Sequence, residues 1–355
     1  RLQGDWSSDV CSSDLDGQSP SSMAVVGWDE RPGNALLVDA VTHALRSNGW
    51  KVEHLGPCAT PLVHHMVARR SAALGIMVTA SHNPVEDSGL KLFDGAGRKT
   101  GPSLERRLSD LVVTLAQEDH PLADLPEEAL TRPDSILEDP VSIHAEWLDR
   151  RLEVFKRHFP HRGGGLHVNG GGPLLLDSSR GTARHWLADW LSEHGCPCRE
   201  VSHEARALNE GCGAGEITPG QAWTWEEAAS SDHLLLRSAR PVEEGHVVGA
   251  ALDGDGDRCL FLQSTADGLA VVDGDAMALA LLLAADTSHP WTLAASIESD
   301  LGLNTKAAGM AHVGRVVPTA VGDRWLSVAL AEAQTVGAIG VEDSGHLVLS
   351  DRKST

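Results

Sequence analysis

Gly75-Ile76-Met77-Val78-Thr79-Ala80-Ser81-His82-Asn83-Pro84 begins as an apolar run and breaks into small and polar residues. Ile76 to Val78 reads as a short buried strand, and Pro84 stops regular pairing. The Ser81 hydroxyl is thus presented at a strand end, where α/β proteins place their chemistry. His82 stands beside it, and Lys91 follows in Ser88-Gly89-Leu90-Lys91. Upstream, Ala24 to Gly27 reads as a strand and Trp28-Asp29-Glu30-Arg31-Pro32 as a loop. Ala35 to Ser47 has helical periodicity closed by Asn48-Gly49, Val52 to Leu55 is a second strand, and Pro61 to Arg70 a second helix. This alternation predicts an α/β fold with mostly parallel sheets.

Far downstream, Asp253-Gly254-Asp255-Gly256-Asp257-Arg258 places carboxylates at alternate positions. Carboxylate oxygens are the ligands hard cations such as Mg2+ prefer, and the intervening glycines let the backbone fold tightly enough for three of them to converge. A calcium EF-hand loop fails on spacing: its sixth position would be Arg258 rather than Gly, and its twelfth Ser264 rather than Glu. A solvated acidic turn is the other alternative. Against it, Val247 to Leu252 and Cys259 to Leu262 on either side read as buried strands. Carboxylates held between such strands repel one another unless a cation sits among them.

The 355 residues suffice for two or three domains, at roughly 100–200 residues each. With 29 Lys and Arg against 50 Asp and Glu, the formal charge is −21. That argues against a nucleic acid or an anionic membrane as partner, and requires local cations for any phosphorylated substrate. Cys11, Cys58, Cys196, Cys198, Cys212 and Cys259 form no paired C-x-x-C zinc pattern, and Cys196-Pro197-Cys198 is too close for an ordinary structural site. Free thiols in a reducing cytoplasm are the expectation. The sequence has neither a long apolar span nor a signal-peptide pattern.

Residues 1–22, with Trp6-Ser7-Ser8-Asp9-Val10-Cys11-Ser12-Ser13-Asp14-Leu15, resemble translated sequencing-adapter sequence or a disordered tail, and are set aside from the fold. Three successive mixed α/β domains are then expected over 23–162, 163–257 and 258–355. The stretch 101–160 is helical and acidic. Arg162-Gly163-Gly164-Gly165 and Gly170-Gly171-Gly172-Pro173 read as a hinge; a nucleotide-binding loop is rejected because the glycines lead into a strand, Leu174 to Leu176. A helix is expected from about Thr182 to His194, stopping at Gly195. In the third domain Val271-Val272-Asp273-Gly274-Asp275 turns into a helix, Ala276 to Ala285, and Val316-Val317 and Gly337 to Val341 are strands.

Thr79-Ala80-Ser81-His82-Asn83-Pro84 resembles the phosphoserine loop of the α-D-phosphohexomutases, and Asp253-Gly254-Asp255-Gly256-Asp257-Arg258 their metal loop. Glu342-Asp343-Ser344-Gly345-His346 is similar to their sugar-recognition loop, Asp29-x-Arg31-Pro32 to an Asp-x-Arg-Pro near the serine, and Asn209-Glu210-Gly211-Cys212-Gly213 to an Asn-x-x-Cys-Gly loop. Three main motifs in order make the resemblance specific, and it covers roughly residues 24–350. The family's Gly-Thr-x-Gly-hydrophobic-Arg-Gly opening and its fourth domain, with an Arg-x-Ser-Gly-Thr-type phosphate loop, are not found, which implies a chain shortened at both ends.

The resemblance implies a mutase that interconverts hexose 6-phosphate and hexose 1-phosphate through a phosphoserine and a bisphosphate intermediate. Ser81 would carry the phosphoryl group and complete the shell of one Mg2+ held by Asp253, Asp255 and Asp257. Arg258 would fork onto phosphate, Arg31 would lie near the serine, Lys91 would exchange a proton with the sugar, and His82 would bond phosphate or shape the turn. Glu342, Ser344 and His346, with Gly322, Asp323 and Arg324 of Val321-Gly322-Asp323-Arg324, would bind the sugar phosphate. These motifs look most like members acting on glucosamine phosphate, while members acting on mannose and glucose phosphates share most of them. Asn209-x-x-Cys212-Gly213 is also similar to members acting on N-acetylglucosamine phosphate, and Val341 and Asp343 depart from the usual residues. A cytoplasmic monomer or homodimer, with no nucleic-acid or membrane partner, is expected. A phosphohydrolase using the same serine and a non-catalytic sugar-phosphate or divalent-ion binder stay open as alternatives.

Overall fold

A computed structural model describes residues 23–117, 131–160, 172–333 and 335–349. The tail 1–22 and the hinge residues from Arg162 to Gly171 lie outside the described residues. The chain divides into two compact units: residues up to Ala80 with Glu86–Pro140, and Ser81–Val85 with Val141 onward.

The first unit is built on a five-stranded sheet of β1 (Met23–Trp28), β2 (Lys51–Pro57), β3 (Leu74–Val78), β4 (Leu90–Asp94) and β5 (Ser135–Ile136), in the order β4-β3-β1-β2-β5. β1 pairs in parallel with β2 and β3, and only β4 runs antiparallel. The helices Asn34–Ser47 and Thr60–Arg70 cross between the parallel strands. Val38 of the first meets Val26, Val52, Ile76 and Val78 in one apolar cluster. The second buries Leu62, Val63, Met66 and Val67, and each such side chain contributes about 1.5–3 kcal/mol on leaving water. Helix Pro102–Gln117 follows β4.

The second unit holds two sheets. One contains β6 (Leu174–Asp177), β7 (Cys198–Glu200), β8 (Ala222–Thr224), β9 (Val247–Leu252), β10 (Cys259–Ser264) and β11 (Gly268–Val272), in the order β7-β6-β9-β10-β11-β8. Its β7-β6-β9 half is parallel and its β9-β10-β11-β8 half antiparallel. The hairpin from β9 to β10 forces the change of direction, because six residues are too few for a crossover. The other sheet contains β12 (Trp291–Ser296), β13 (Val313–Thr319), β14 (Gly337–Val341) and β15 (Leu347–Leu349), ordered β13-β12-β14-β15 and parallel except for β15.

Alternation along β12 sends side chains to both faces of its sheet. Trp291, Leu293 and Ala295 pack with Ala278 and Leu282 of helix Gly274–Ala284 and with Leu303 and Ala307 of helix Leu301–Ala308. Ala294 packs oppositely with Leu326 and Leu330 of helix Asp323–Glu332. Phe159, just past helix Pro140–His158, packs on Trp291 with the rings tilted by 41° and their centroids 5.2 Å apart.

The helix expected from Thr182 is shorter, Leu187–Glu193. The Thr182 amide is bonded instead to Gly254 O at 3.2 Å, and Arg184 and Trp186 donate three residues back to Gly181 and Ala183. Tight turns therefore occupy what would have been its first turn, and the Thr182 amide, which a helix start would leave unpaired, finds a tertiary acceptor. Among the described residues no helix is long and apolar enough to cross a membrane.

Candidate functional site

β9 and β10 pair with Leu252 opposite Cys259, so Asp253 to Arg258 form the connection between two buried strands. Asp253 and Asp255 are 1% and 0% exposed. Asp253 structures the loop with one oxygen: its Oδ1 accepts from the amides of Asp257 at 3.0 Å and Arg258 at 3.2 Å. Its Oδ2 accepts from Ser81 Oγ at 2.5 Å. One ligand atom from each of Asp253, Asp255 and Asp257 lies within 4.8 Å of the others. Three carboxylates at that spacing repel, and an all-oxygen donor set with hydroxyl alongside suits a hard divalent cation. Arg258 Nε lies 4.0 Å from Asp253 Oδ2, so a partly buried positive charge also faces this cluster.

Ser81 is buried and has φ of 55°. A left-handed backbone at a residue with a Cβ costs on the order of 1–3 kcal/mol and persists only where surroundings impose it. Here the turn aims the hydroxyl at Asp253. His82 and Asn83 are exposed, and the Asn209 side chain reaches the backbone carbonyls of Ser81 and Asn83.

Glu342 to His346 connect β14 to β15, with Val341 opposite Leu347. Glu342 and His346 are both 6% exposed, so neither is a solvated loop residue. Glu342 Oε1 accepts from the Gly322 amide at 2.5 Å, at the start of helix Asp323–Glu332, and Oε2 meets His346 Nδ1 at 3.1 Å. The other ring nitrogen, Nε2, meets Asp257 Oδ1 at 3.1 Å. Burial opposes charge on His346, but the bonds to Asp257 and Glu342 outweigh it and lift its pKa to about 9. Burial would likewise raise Glu342, yet its bonds to His346 and Gly322 and the charge of Arg258 hold it below the usual carboxylate range. Asp343 moves the other way, through burial and the charges of Glu298, Asp273 and Glu342.

The carboxylates of the loop 253–258, Ser81, His346, Glu342 and Gly322 thus form one connected set within the second unit. Asp323 and Arg324 follow Gly322 in the first turn of its helix, half-buried, as is Ser344. Arg31 and Lys91 belong to the first unit. There Arg31 Nε donates to buried Asp29 Oδ2 at 3.0 Å and its Nη1 to Asp87 O at 3.0 Å. Asp29 also accepts from Thr79 Oγ1 at 2.7 Å and Asn34 Nδ2 at 2.6 Å. Lys91 is half-buried on β4, opposite Met77.

Residues 12–119 match phosphoglucomutase/phosphomannomutase alpha/beta/alpha domain I, and residues 273–355 match domain III of the same family. A phosphoglucosamine mutase of Salinispora arenicola is 31% identical over 345 residues, covering 95% of this chain and 67% of the relative. The chain belongs to the phosphohexomutase family. Other phosphohexomutases that match are phosphoglucosamine mutases of Streptomyces coelicolor, 32% identical over 94% of this chain and 66% of the relative, and of Jannaschia sp., 34% identical over 93% and 66%. The chain spans about two thirds of the length of these relatives. Among solved structures, a Burkholderia thailandensis phosphoglucomutase/phosphomannomutase family protein has a TM-score of 0.59 at 18% identity, over 94% of this chain and 65% of that one. An Aspergillus fumigatus N-acetylphosphoglucosamine mutase has 0.54 at 17%, over 89% and 66%. Both share the phosphohexomutase fold.

Sequence reasoning left a second layer of this site without a role. Asp177 ends β6 and is fully buried, accepting from the amides of Ser179 at 2.9 Å and Gly213 at 2.8 Å. His233 Nε2 meets Gly213 O at 3.1 Å. A carboxylate at the C-terminal end of an apolar strand was the available signal.

Proposed function

We propose that this chain is the part of a phosphohexomutase that carries and transfers the phosphoryl group, acting on glucosamine phosphate. The observation that carries the reading is the 2.5 Å bond from buried Ser81 Oγ to Asp253 Oδ2, inside the three-carboxylate loop. The choice of glucosamine phosphate is supported by the relatives named phosphoglucosamine mutase, at 31–34% identity.

As Ser81 Oγ bonds to phosphorus and the P–O bond to the sugar breaks, Asp253 Oδ2 is placed to accept the Ser81 proton while its Oδ1 stays bonded to the loop amides, and the leaving sugar oxygen takes a proton from a general acid, for which Lys91 is proposed. A divalent cation held by Asp253, Asp255, Asp257 and the Ser81 phosphate would supply positive charge to the transferring phosphoryl group. In the return step a sugar hydroxyl oxygen bonds to phosphorus as the Oγ–P bond breaks, the hydroxyl proton goes to the same Lys91, and the proton held by Asp253 returns to Ser81 Oγ. Arg258, on the same loop, adds a guanidinium that can pair with phosphate bidentately. The roles proposed for Glu342, Ser344 and His346, with Gly322, Asp323 and Arg324, are to bind the sugar phosphate. Glu342 and His346 are already oriented by their bonds to Gly322 and Asp257.

Incubation with glucose 1,6-bisphosphate and MgCl2 tests the carrier directly. Intact mass should show one added phosphoryl group, absent in Ser81→Ala. Phosphorus NMR should then show glucosamine 6-phosphate converting to the 1-phosphate faster than mannose, glucose or N-acetylglucosamine 6-phosphates. Absence of any phosphoryl group on Ser81 refutes the reading, and inorganic phosphate formed faster than any sugar 1-phosphate supports a hydrolase instead.

A further inference from the structure

We infer that Asn209 is a positioning residue, a clamp that holds the Ser81 loop against the carboxylate loop; its catalytic consequence rests on Ser81 being the phosphate carrier. Asn209 Nδ2 donates to Ser81 O and to Asn83 O, each at 2.8 Å. Two carbonyls at one end of the amide fix its orientation, since only the NH2 group has two donors. The clamp spans Asn83 and the strained residue, Ser81, at φ 55°.

The clamp is itself seated. Asn209 has φ of 61°, a conformation asparagine tolerates better than most residues. Its amide donates to Ser179 O at 3.1 Å. Ser179 Oγ donates to Leu252 O at 2.7 Å, one residue before Asp253, and the Thr182 amide donates to Gly254 O at 3.2 Å. Residues 177–182 therefore grip the carboxylate loop directly and the serine loop through Asn209. Two glycines allow the approach. A Cβ on Gly254 would lie 3.0 Å from Ser81 O and 2.9 Å from Leu208 Cδ2, and one on Gly215 would lie 2.8 Å from His82 Cβ. The Ser81 Oγ to Asp253 Oδ2 separation is thus set by backbone held from a third segment.

Two variants test this. Asn209→Asp keeps the size but turns an acceptor toward the two carbonyls. Asn209→Gly removes the side chain and keeps the left-handed backbone accessible. In both, amide exchange of Ser81, His82, Asn83 and Val85 should rise while 177–182 stay protected, and the MgCl2-induced rise in melting temperature should be unchanged. Phosphorylation of Ser81 by glucose 1,6-bisphosphate should fall about ten- to hundredfold, as expected for a reacting group displaced by about an ångström. Unchanged exchange at Ser81, His82, Asn83 and Val85 in Asn209→Asp overturns the clamp. Loss of protection at 177–182, with a falling melting temperature and a lost response to MgCl2, overturns it too, since Asn209 would then be merely structural. A wild-type chain that takes up no phosphoryl group refutes the carrier reading and the catalytic consequence with it, while exchange still decides whether Asn209 holds the loop.

Discussion

Replacing Asp255 by asparagine removes one charge from the carboxylate trio and leaves its size unchanged. The trio's ligand atoms lie within 4.8 Å of one another, and Asp255 is fully buried. Like charges at such a distance repel by about 3 kcal/mol at an effective dielectric of about 20. In EDTA the variant should therefore be more stable than the wild type. With MgCl2 the order should reverse. A wild type held at about a hundred times its Kd gains about 2.7 kcal/mol, whereas a variant that binds about a hundredfold more weakly gains about 0.4 kcal/mol. At about 2–4 °C per kcal/mol, the wild-type midpoint should rise by about 5–10 °C and the variant's by about 1 °C. Near-UV circular dichroism melts in EDTA and across a MgCl2 titration measure both signs. Equal MgCl2-induced rises, or a variant less stable than wild type in EDTA, would refute a cation site built on mutual carboxylate repulsion. Asp253→Asn and Asp257→Asn should follow Asp255→Asn in the MgCl2 series.

Arg31→Ala should cost about 3–5 kcal/mol in urea unfolding, because it strands Asp29 as an uncompensated buried charge; a loss below 1 kcal/mol would mean that Thr79 and Asn34 alone satisfy it. Asp177 is raised from 3.8 to about 6 by burial, against the pull of His233. A folded state that keeps this proton longer than the unfolded chain is stabilised below the unfolded pKa and loses that contribution as pH rises through about 6, on the order of 2–3 kcal/mol. Asp177→Asn should flatten this part of the stability profile between pH 4 and 6, and an unchanged slope would sink the assignment. Lys91→Met should slow phosphoryl transfer by about 10²–10⁴, the usual scale for a proton-transfer group, with the MgCl2 response of the melting temperature unchanged; undiminished transfer would remove Lys91 from the reaction.

What the sequence disclosed about this site follows contact range. The α/β alternation was legible because each strand and helix of the first unit is set by local periodicity and its stop signals. The carboxylate loop was legible because its three acidic residues sit within five positions, and a hairpin between buried strands can point them only one way. By contrast, His346 to Asp257 joins residues 89 positions apart, and Asn209 to Ser81 joins residues 128 apart. No local pattern encodes such contacts; they depend on how two sheets and their loops are placed. The shortened helix at Leu187 is a local departure, since Arg184 and Trp186 close three-residue turns onto Gly181 and Ala183 before the helical ladder begins.

Charge ties the site together. The chain carries −21 overall, and the loop that faces Ser81 concentrates three of its carboxylates at close quarters. An anionic sugar phosphate would be repelled from such a place unless positive charge were fixed there. The second unit supplies it in graded form. Arg258 is permanently charged and lies 4.0 Å from Asp253. His346, its pKa lifted to about 9 by its bonds to Asp257 and Glu342, sits between those two carboxylates. Even so, carboxylates are in excess there: Asp253, Asp255, Asp257 and Glu342 cluster around the site, and Asp323 also faces His346. A divalent cation held among the three carboxylates would offset that excess. On the proposed reading its binding would decide whether the region repels a phosphate or admits it, so the MgCl2 dependence of stability and of Ser81 phosphorylation should move together.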